Sequence, residues 1–228
     1  MTLTFETKVW ENDWEYILKG DYLNKMISNC DCSFDKKNII INNVTNKIIV
    51  EKHCKSKIKE GIIDAYYFVD EYSKTVLNHF NIDIDSFNGG YVYSISELLG
   101  IYICETDFLL HFSSDSFLER NNNTWIYEAI EIMNSNSNII VANPTWNYKY
   151  SEAKSESINE LGNFYIASGF SDQCYLIKTN EFKKNIYNEK NILSERYPNY
   201  GGELFEKRVD AFMRNNNKLR ITHMLNSY

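Results

Sequence analysis

Short apolar runs alternate along this chain with longer segments whose apolar residues return at helical spacing. Leu3 to Val9 is the first strand-like run, followed by a polar loop, Trp10-Glu11-Asn12-Asp13, and a helix carrying Tyr16, Ile17, Leu23 and Met26. Asn38 to Ile41 reads as a second strand ending at Asn42-Asn43. Ile62, Ile63, Tyr66, Val69, Val76, Leu77 and Phe80 make one apolar stripe, which predicts a long helix over 57–80. Asn88-Gly89-Gly90 breaks that pattern and Tyr93 to Ile103 resumes as a helix. Phe108 to Phe112 is a buried-strand candidate running into Ser113-Ser114-Asp115, and Trp125, Ile126, Ala129, Ile130 and Met133 then fall on one helical face. Asn138 to Ala142 reads as a strand ended by Pro144. The polar stretch from Asn147 to Gly162 is expected as a mobile loop, Gly169 to Ile177 contains a strand, Glu203 to Arg214 is an amphipathic helix, and Leu219 to Thr222 is a last strand ending at His223. Strands alternating with helices imply βαβ units: an α/β fold, a mostly parallel central sheet flanked by helices.

Composition narrows the classes. A chain of 228 residues, 43% hydrophobic and 24% charged, fits one α/β domain spanning 1–228. The formal net charge of −7 counts against nucleic-acid binding, and the Lys52 to Lys59 stretch reads as a solvated helix face. The longest apolar runs, such as Ile39-Ile40-Ile41, are too short to cross a bilayer, and the first residues lack the pattern of a secretion signal. Five cysteines without disulfide spacing point to a reducing compartment: cytoplasmic, or peripheral to a membrane. Cys30, Cys32, His53 and Cys54 lack the paired spacing of a zinc site.

In open parallel α/β sheets, ligands bind outside the carboxyl ends of the strands. That rule selects the loops Trp10 to Asp13, Asn42-Asn43 and Ser113 to Asp115, with His223, as one crevice. No GxGxxG follows the first strand, GxxxxGK[ST] is absent, and Ser168-Gly169-Phe170-Ser171 supplies no G-x-S-x-G elbow.

The stretch NGGYVYSISELLGIYICETDFLLHFSSDSF, residues 88–117, resembles the central block of GT-A nucleotide-sugar glycosyltransferases: a glycine turn, a helix, an acidic turn, a hydrophobic strand, then a short Asp-x-Asp motif. Thr4 to Asp13, the segment Ser168 to Gln173, and Arg220-Ile221-Thr222-His223 stand in the order such enzymes place their first strand, acceptor-side segment and terminal strand. The resemblance implies a single GT-A-like, Rossmann-like domain. It would move a sugar from a nucleoside-diphosphate donor, most plausibly a UDP-sugar, onto a glycan or lipid-linked acceptor, with Mn2+ or Mg2+. It places Val9, Trp10, Asn12, Asp13 and Asn42 at the base and ribose, and Ser113 and Ser114 at the donor. Asp115 and His223 then become metal or diphosphate ligands. The motif departs from the pattern, because Ser113 stands where the first acid is usual. Asp115 could instead cap a following helix, and Asp13 the helix from Trp14. For an inverting transfer, Glu203 after Gly201-Gly202 is the candidate base, with Asp172 as rival and Glu206 one turn beyond Glu203. A catalytically inactive sugar-nucleotide or glycan-binding protein is the alternative.

Overall fold

The computed structural model describes residues 1–118, 124–197 and 201–228. Nine strands among them form one mixed sheet: β1 (Leu3–Val9), β2 (Lys36–Ile41), β3 (Ala65–Phe68), β4 (Phe108–Phe112), β5 (Ile139–Thr145), β6 (Asn159–Leu161), β7 (Phe164–Ala167), β8 (Cys174–Lys178) and β9 (Leu219–Ser227). Their order across the sheet is β3-β2-β1-β4-β8-β5-β9-β7-β6. The first four are parallel, β8 runs antiparallel to β4 and β5, β9 is parallel to β5, and β6-β7 is an antiparallel hairpin at the far edge.

The period of two along each strand divides the core into layers on opposite faces of the sheet. Ile39 and Ile41 face one side and Ile40 the other; Phe108, Leu110 and Phe112 face one and Leu109 the other. The first layer is covered by α1 (Trp14–Lys19), α2 (Tyr22–Ser28), α3 (Lys47–Lys59) and, through Trp125, Ile126 and Ile130, by α6 (Trp125–Ser135). The second is covered by α4 (Val69–His79), α5 (Tyr91–Ile103), α8 (Thr179–Phe182) and α9 (Phe205–Asn215). The amphipathic reading of α9 holds, with Phe205, Val209 and Phe212 buried.

Four sequence expectations change. The long helix over 57–80 is instead the end of α3, then β3, then α4. Gly61 sits at φ +74°, and its N–H and that of Ile62 bond back to Ile58 and Lys57 carbonyls, a glycine stop that ends α3. Tyr66, Tyr67 and Phe68 then pair beside β2. Pro144 does not end β5, which runs on to Thr145; the missing N–H falls beside a register shift between Pro144 and Thr145. The polar stretch expected as a mobile loop carries α7 (Tyr150–Ser155) and β6, while the helix expected through Tyr16 to Met26 is broken at Gly20 into α1 and α2.

Two glycine turns lock α5 to α9. Gly202 is at φ +81°, and a Cβ there would stand 2.4 Å from the carbonyl oxygens of both Phe87 and Asn88. A Cβ on Gly90 would stand 2.5 Å from the Gly201 oxygen. The Gly201-Gly202 pair is thus a close-packing device. Across it the Glu203 N–H donates to the Phe87 carbonyl at 2.8 Å, and the Phe205 N–H to Ser94 Oγ at 2.9 Å.

Candidate donor and acceptor cleft

A cleft of about 1250 Å3 opens along the carboxyl ends of β1, β2 and β4 and continues past β8 toward β5 and β9. The antiparallel insertion of β8 explains its shape. Phe112 at the end of β4 pairs with Cys174 at the start of β8, so the loop leaving β4 and the loop entering β8 meet. The Ser113 N–H donates to the Gln173 carbonyl at 2.7 Å and Ser113 Oγ to the Asp172 carbonyl at 3.4 Å.

Of the residues selected from sequence, Val9, Trp10, Asn12, Asp13 and Asn42 line one end of this cleft, and Ser113, Ser114, Asp115 and Asp172 its middle. Asp13 precedes α1 but does not cap it. One carboxylate oxygen accepts from the Trp10 N–H at 2.7 Å and the other from the Ser114 hydroxyl. Asp13 therefore ties the loop after β1 to the loop after β4. Asn42 donates to the Val92 carbonyl at 2.8 Å, tying the end of β2 to the start of α5. Asp115 is exposed to the cleft, and among the described residues the nearest following helix begins at Trp125. Burial raises the Asp13 pKa, with Asp115 adding to it; burial also raises that of Asp172, again with a contribution from Asp115. The three acids therefore share one field.

Two selected residues stand elsewhere. His223 does not line the cleft. β9 continues to Ser227, so His223 points away from the face that carries Thr222. It is buried, its ring packs on Phe164 at 4.9 Å, and its Nδ1 accepts from the Asn226 N–H at 3.0 Å. The assignment of His223 as a metal ligand is corrected on that ground. Glu203 is likewise turned out of the cleft, held by Lys207 Nζ at 3.0 Å. Glu206, one turn on, lines the cleft instead. Burial, and then Asp172, pushes its carboxyl up to about 8.

Lys8 is a cleft residue that sequence reasoning passed over. Its ammonium pairs with the fully buried Glu97 of α5. Burial alone would lower the Lys8 pKa, but Glu97, Asp172 and Glu6 reverse that and leave it raised. Beneath lies a buried pair, Glu6 Oε1 and His111 Nδ1 at 2.9 Å, neither side chain exposed. Burial drives Glu6 well up and His111 well down. A signal existed: Glu97 is the one charged residue in the apolar run YVYSISELLGIYI, and buried charge in such a run asks for a partner.

No family model and no curated protein matches the chain. Solved structures do. A fragment of S. aureus TarS superposes with a TM-score of 0.51 at 9% identity, over 100% of this chain and 60% of that one. GalNAc-T7, solved with UDP, GalNAc and Mn2+, superposes with a TM-score of 0.58 at 9% identity, over 100% of this chain and 43% of that one. The fold is of the GT-A glycosyltransferase type. This chain spans about three fifths of the TarS fragment and less than half of the GalNAc-T7 chain. In this chain Asp13 joins the loop after β1 to the loop after β4 through Ser114, next to Asp115. Among the described residues no group of three or more His, Cys, Asp and Glu side chains is spaced to hold a metal ion. Both Asp13 oxygens are engaged, so a divalent cation here would rest on Asp115, bound phosphate oxygens and water, a donor set acceptable to Mg2+ or Mn2+.

Proposed function

We propose that the protein is a glycosyltransferase that transfers a sugar from a nucleoside diphosphate, with a UDP-sugar as the favoured donor, to a hydroxyl of a glycan or lipid-linked acceptor. The observation that carries this reading is the convergence of Asp13, Asp115, Asp172 and Lys8 on one cleft at the carboxyl ends of β1 and β4. Val9, Trp10, Asn12, Asp13 and Asn42 hold the base and ribose; Ser113, Ser114 and Asp115 face the diphosphate. When bound, Mn2+ or Mg2+ would supply positive charge to the departing diphosphate. Lys8, kept cationic by Glu97, adds a fixed charge beside it.

In an inverting transfer the acceptor oxygen bonds to the anomeric carbon as the bond from that carbon to the diphosphate oxygen breaks, and the acceptor proton passes to a carboxylate. Glu206 takes that role here in place of Glu203, because it faces the cleft with a pKa of about 8, close to working pH. Asp172 sits across from it and raises its pKa. Unpaired, buried cysteines such as Cys30, Cys54 and Cys174 accord with a cytoplasmic protein, and no helix of the described residues is long and apolar enough to cross a membrane.

The test is a panel of sugar nucleotides scored by thermal shift and by release of nucleoside diphosphate, with and without Mn2+. A selective donor should raise the melting temperature, and Asp115→Ala should cut turnover by at least about a hundredfold while melting unchanged without ligand. Full turnover in Asp115→Ala would remove the centre of the proposal. Ser113 in place of an acid favours a second reading, a domain that binds sugar nucleotide without turnover; donor binding with no release of nucleoside diphosphate would select it.

A further inference from the structure

Arg196, Arg220 and Lys149 line the part of the cleft bounded by β5, β9 and the loop before β8, a part that Glu152, Glu156, Asp172 and Glu206 also line. Arg196 Nη2 lies 2.4 Å, and Arg220 Nη1 3.6 Å, from the point a Cβ on Gly169 would occupy. Two guanidinium groups therefore share one small volume, and Gly169, at φ +106°, leaves the space for them. Like charges brought this close are unfavourable unless something negative lies between them.

Among the described residues the two arginines together make one ion pair. Arg196 makes no ion pair among the described residues, and its Nη2 donates to the neutral Tyr197 hydroxyl at 3.3 Å. Arg220 is 9% exposed, and its Nε has no hydrogen-bond partner among the described residues. Its one carboxylate contact is a 3.4 Å approach from Glu156, whose side chain is half exposed. Asp210 Oδ2 is engaged by Arg214 at 2.7 Å and by the Ser194 hydroxyl, while Oδ1 has no hydrogen-bond partner among the described residues and the carboxylate still acts on Arg196 through space. Glu206 lines the same cleft, and the Arg196 charge acts to lower its pKa against the effect of burial. Lys149 pairs with Glu152 at 3.0 Å and lies over the Trp146 ring at 4.5 Å, which places an aromatic face on the same wall. Ser171, Thr222 and Tyr228 add neutral hydroxyls of the kind that pair with sugar hydroxyls.

We propose that this half of the cleft is the acceptor subsite and that it takes an anionic sugar, whose phosphate or carboxylate group is held between Arg196 and Arg220. The inference rests on the transferase reading for which ligand occupies the other half. Guanidinium forks match both oxyanions, so the chemistry shared by phosphate and carboxylate is what the pair selects.

The experiment uses the whole protein, saturated with UDP to fill the donor end, and titrates glucose 6-phosphate, glucuronic acid and glucose by NMR. At least one charged sugar should bind roughly tenfold or more tightly than glucose, because each charged hydrogen bond is worth that much. Which of the two binds tighter identifies phosphate or carboxylate as the natural group. The preference should fall toward equality in Arg196→Gln and in Arg220→Gln, with UDP affinity unchanged. Arg220 lies inside β9, so its variant is accompanied by a melting curve; Arg196 is exposed to the cleft in a short turn, and its variant carries the test if Arg220→Gln unfolds. Equal binding of charged and neutral sugars to the unsubstituted protein overturns the proposal. Loss of UDP affinity in either variant also overturns it, by assigning the arginines to the donor diphosphate. If UDP does not bind at all, the choice of UDP as donor nucleotide falls and the sugar-nucleotide panel decides the transferase reading; the same three titrations without UDP still decide the arginine pair.

Discussion

Glu203 and Glu206 show how one helical turn separates a structural acid from a chemical one. Glu203 stands two residues before α9 and Glu206 in its first turn, but Glu203 is drawn outward by Lys207, while Glu206 faces the cleft beside Asp172. Burial holds the Glu206 proton until about pH 8, so its carboxylate form, the one able to accept a proton, grows in as pH rises through that value. If Glu206 is the base, turnover should climb with pH along that limb. Glu206→Gln should flatten the climb and cut kcat by about 100-fold or more, with donor KM little changed. A pH profile that keeps its rising limb in Glu206→Gln would move the role to Asp172. Glu203→Gln, by contrast, should leave the profile in place, because its partner is Lys207.

The junction between α5 and α9 decides whether Glu206 reaches the cleft at all. Gly202 at φ +81° rests against the Phe87 and Asn88 carbonyls, so Gly202→Ala adds both a strained backbone and a clash. It should cost about 1–3 kcal/mol, read as a lower denaturation midpoint, and should weaken turnover with donor binding retained. Much of the architecture was legible from sequence, because strands such as Leu3–Val9 and Phe108–Phe112 are bounded by polar turns and buried on both faces. The Asp13 and Asp115 loops followed from the strand ends. What stayed hidden depended on partners far along the chain. Tyr66 to Phe68 sit at helical spacing with Ile62 and Val69, so only pairing with β2 reveals a strand. His223 was read as lying past the end of β9; four more residues of strand fix its side-chain direction away from the ligand. Arg196 and Arg220 are twenty-odd positions apart and meet only through Gly169.

Across the molecule, the cleft sets a pH dependence on stability that a conventional surface would not. Glu206 in the unfolded chain titrates near 4.5 and in the folded protein near about 8. Between those values the folded state holds a proton that the unfolded state has released, so raising pH through this window favours unfolding. The contribution is complete below pH 4.5 and lost once pH passes about 8. Glu6 and Asp172 act in the same direction, since burial raises both. His111 and His223 oppose it at the acid side: burial lowers them, so the stability they contribute is present above their unfolded value of 6.5 and is lost as pH falls through their lower folded values. The net curve mixes these terms, but the difference between Glu206→Gln and the unsubstituted protein isolates one, because glutamine does not titrate. Denaturant unfolding should show that difference moving steadily in favour of Glu206→Gln as pH rises from 4.5 to about 8, then levelling. A difference that stays flat across the window would mean that Glu206 is solvated like a surface acid. The cleft would then lack the low-dielectric wall that a glycosyl-transfer base needs, even with its fold intact.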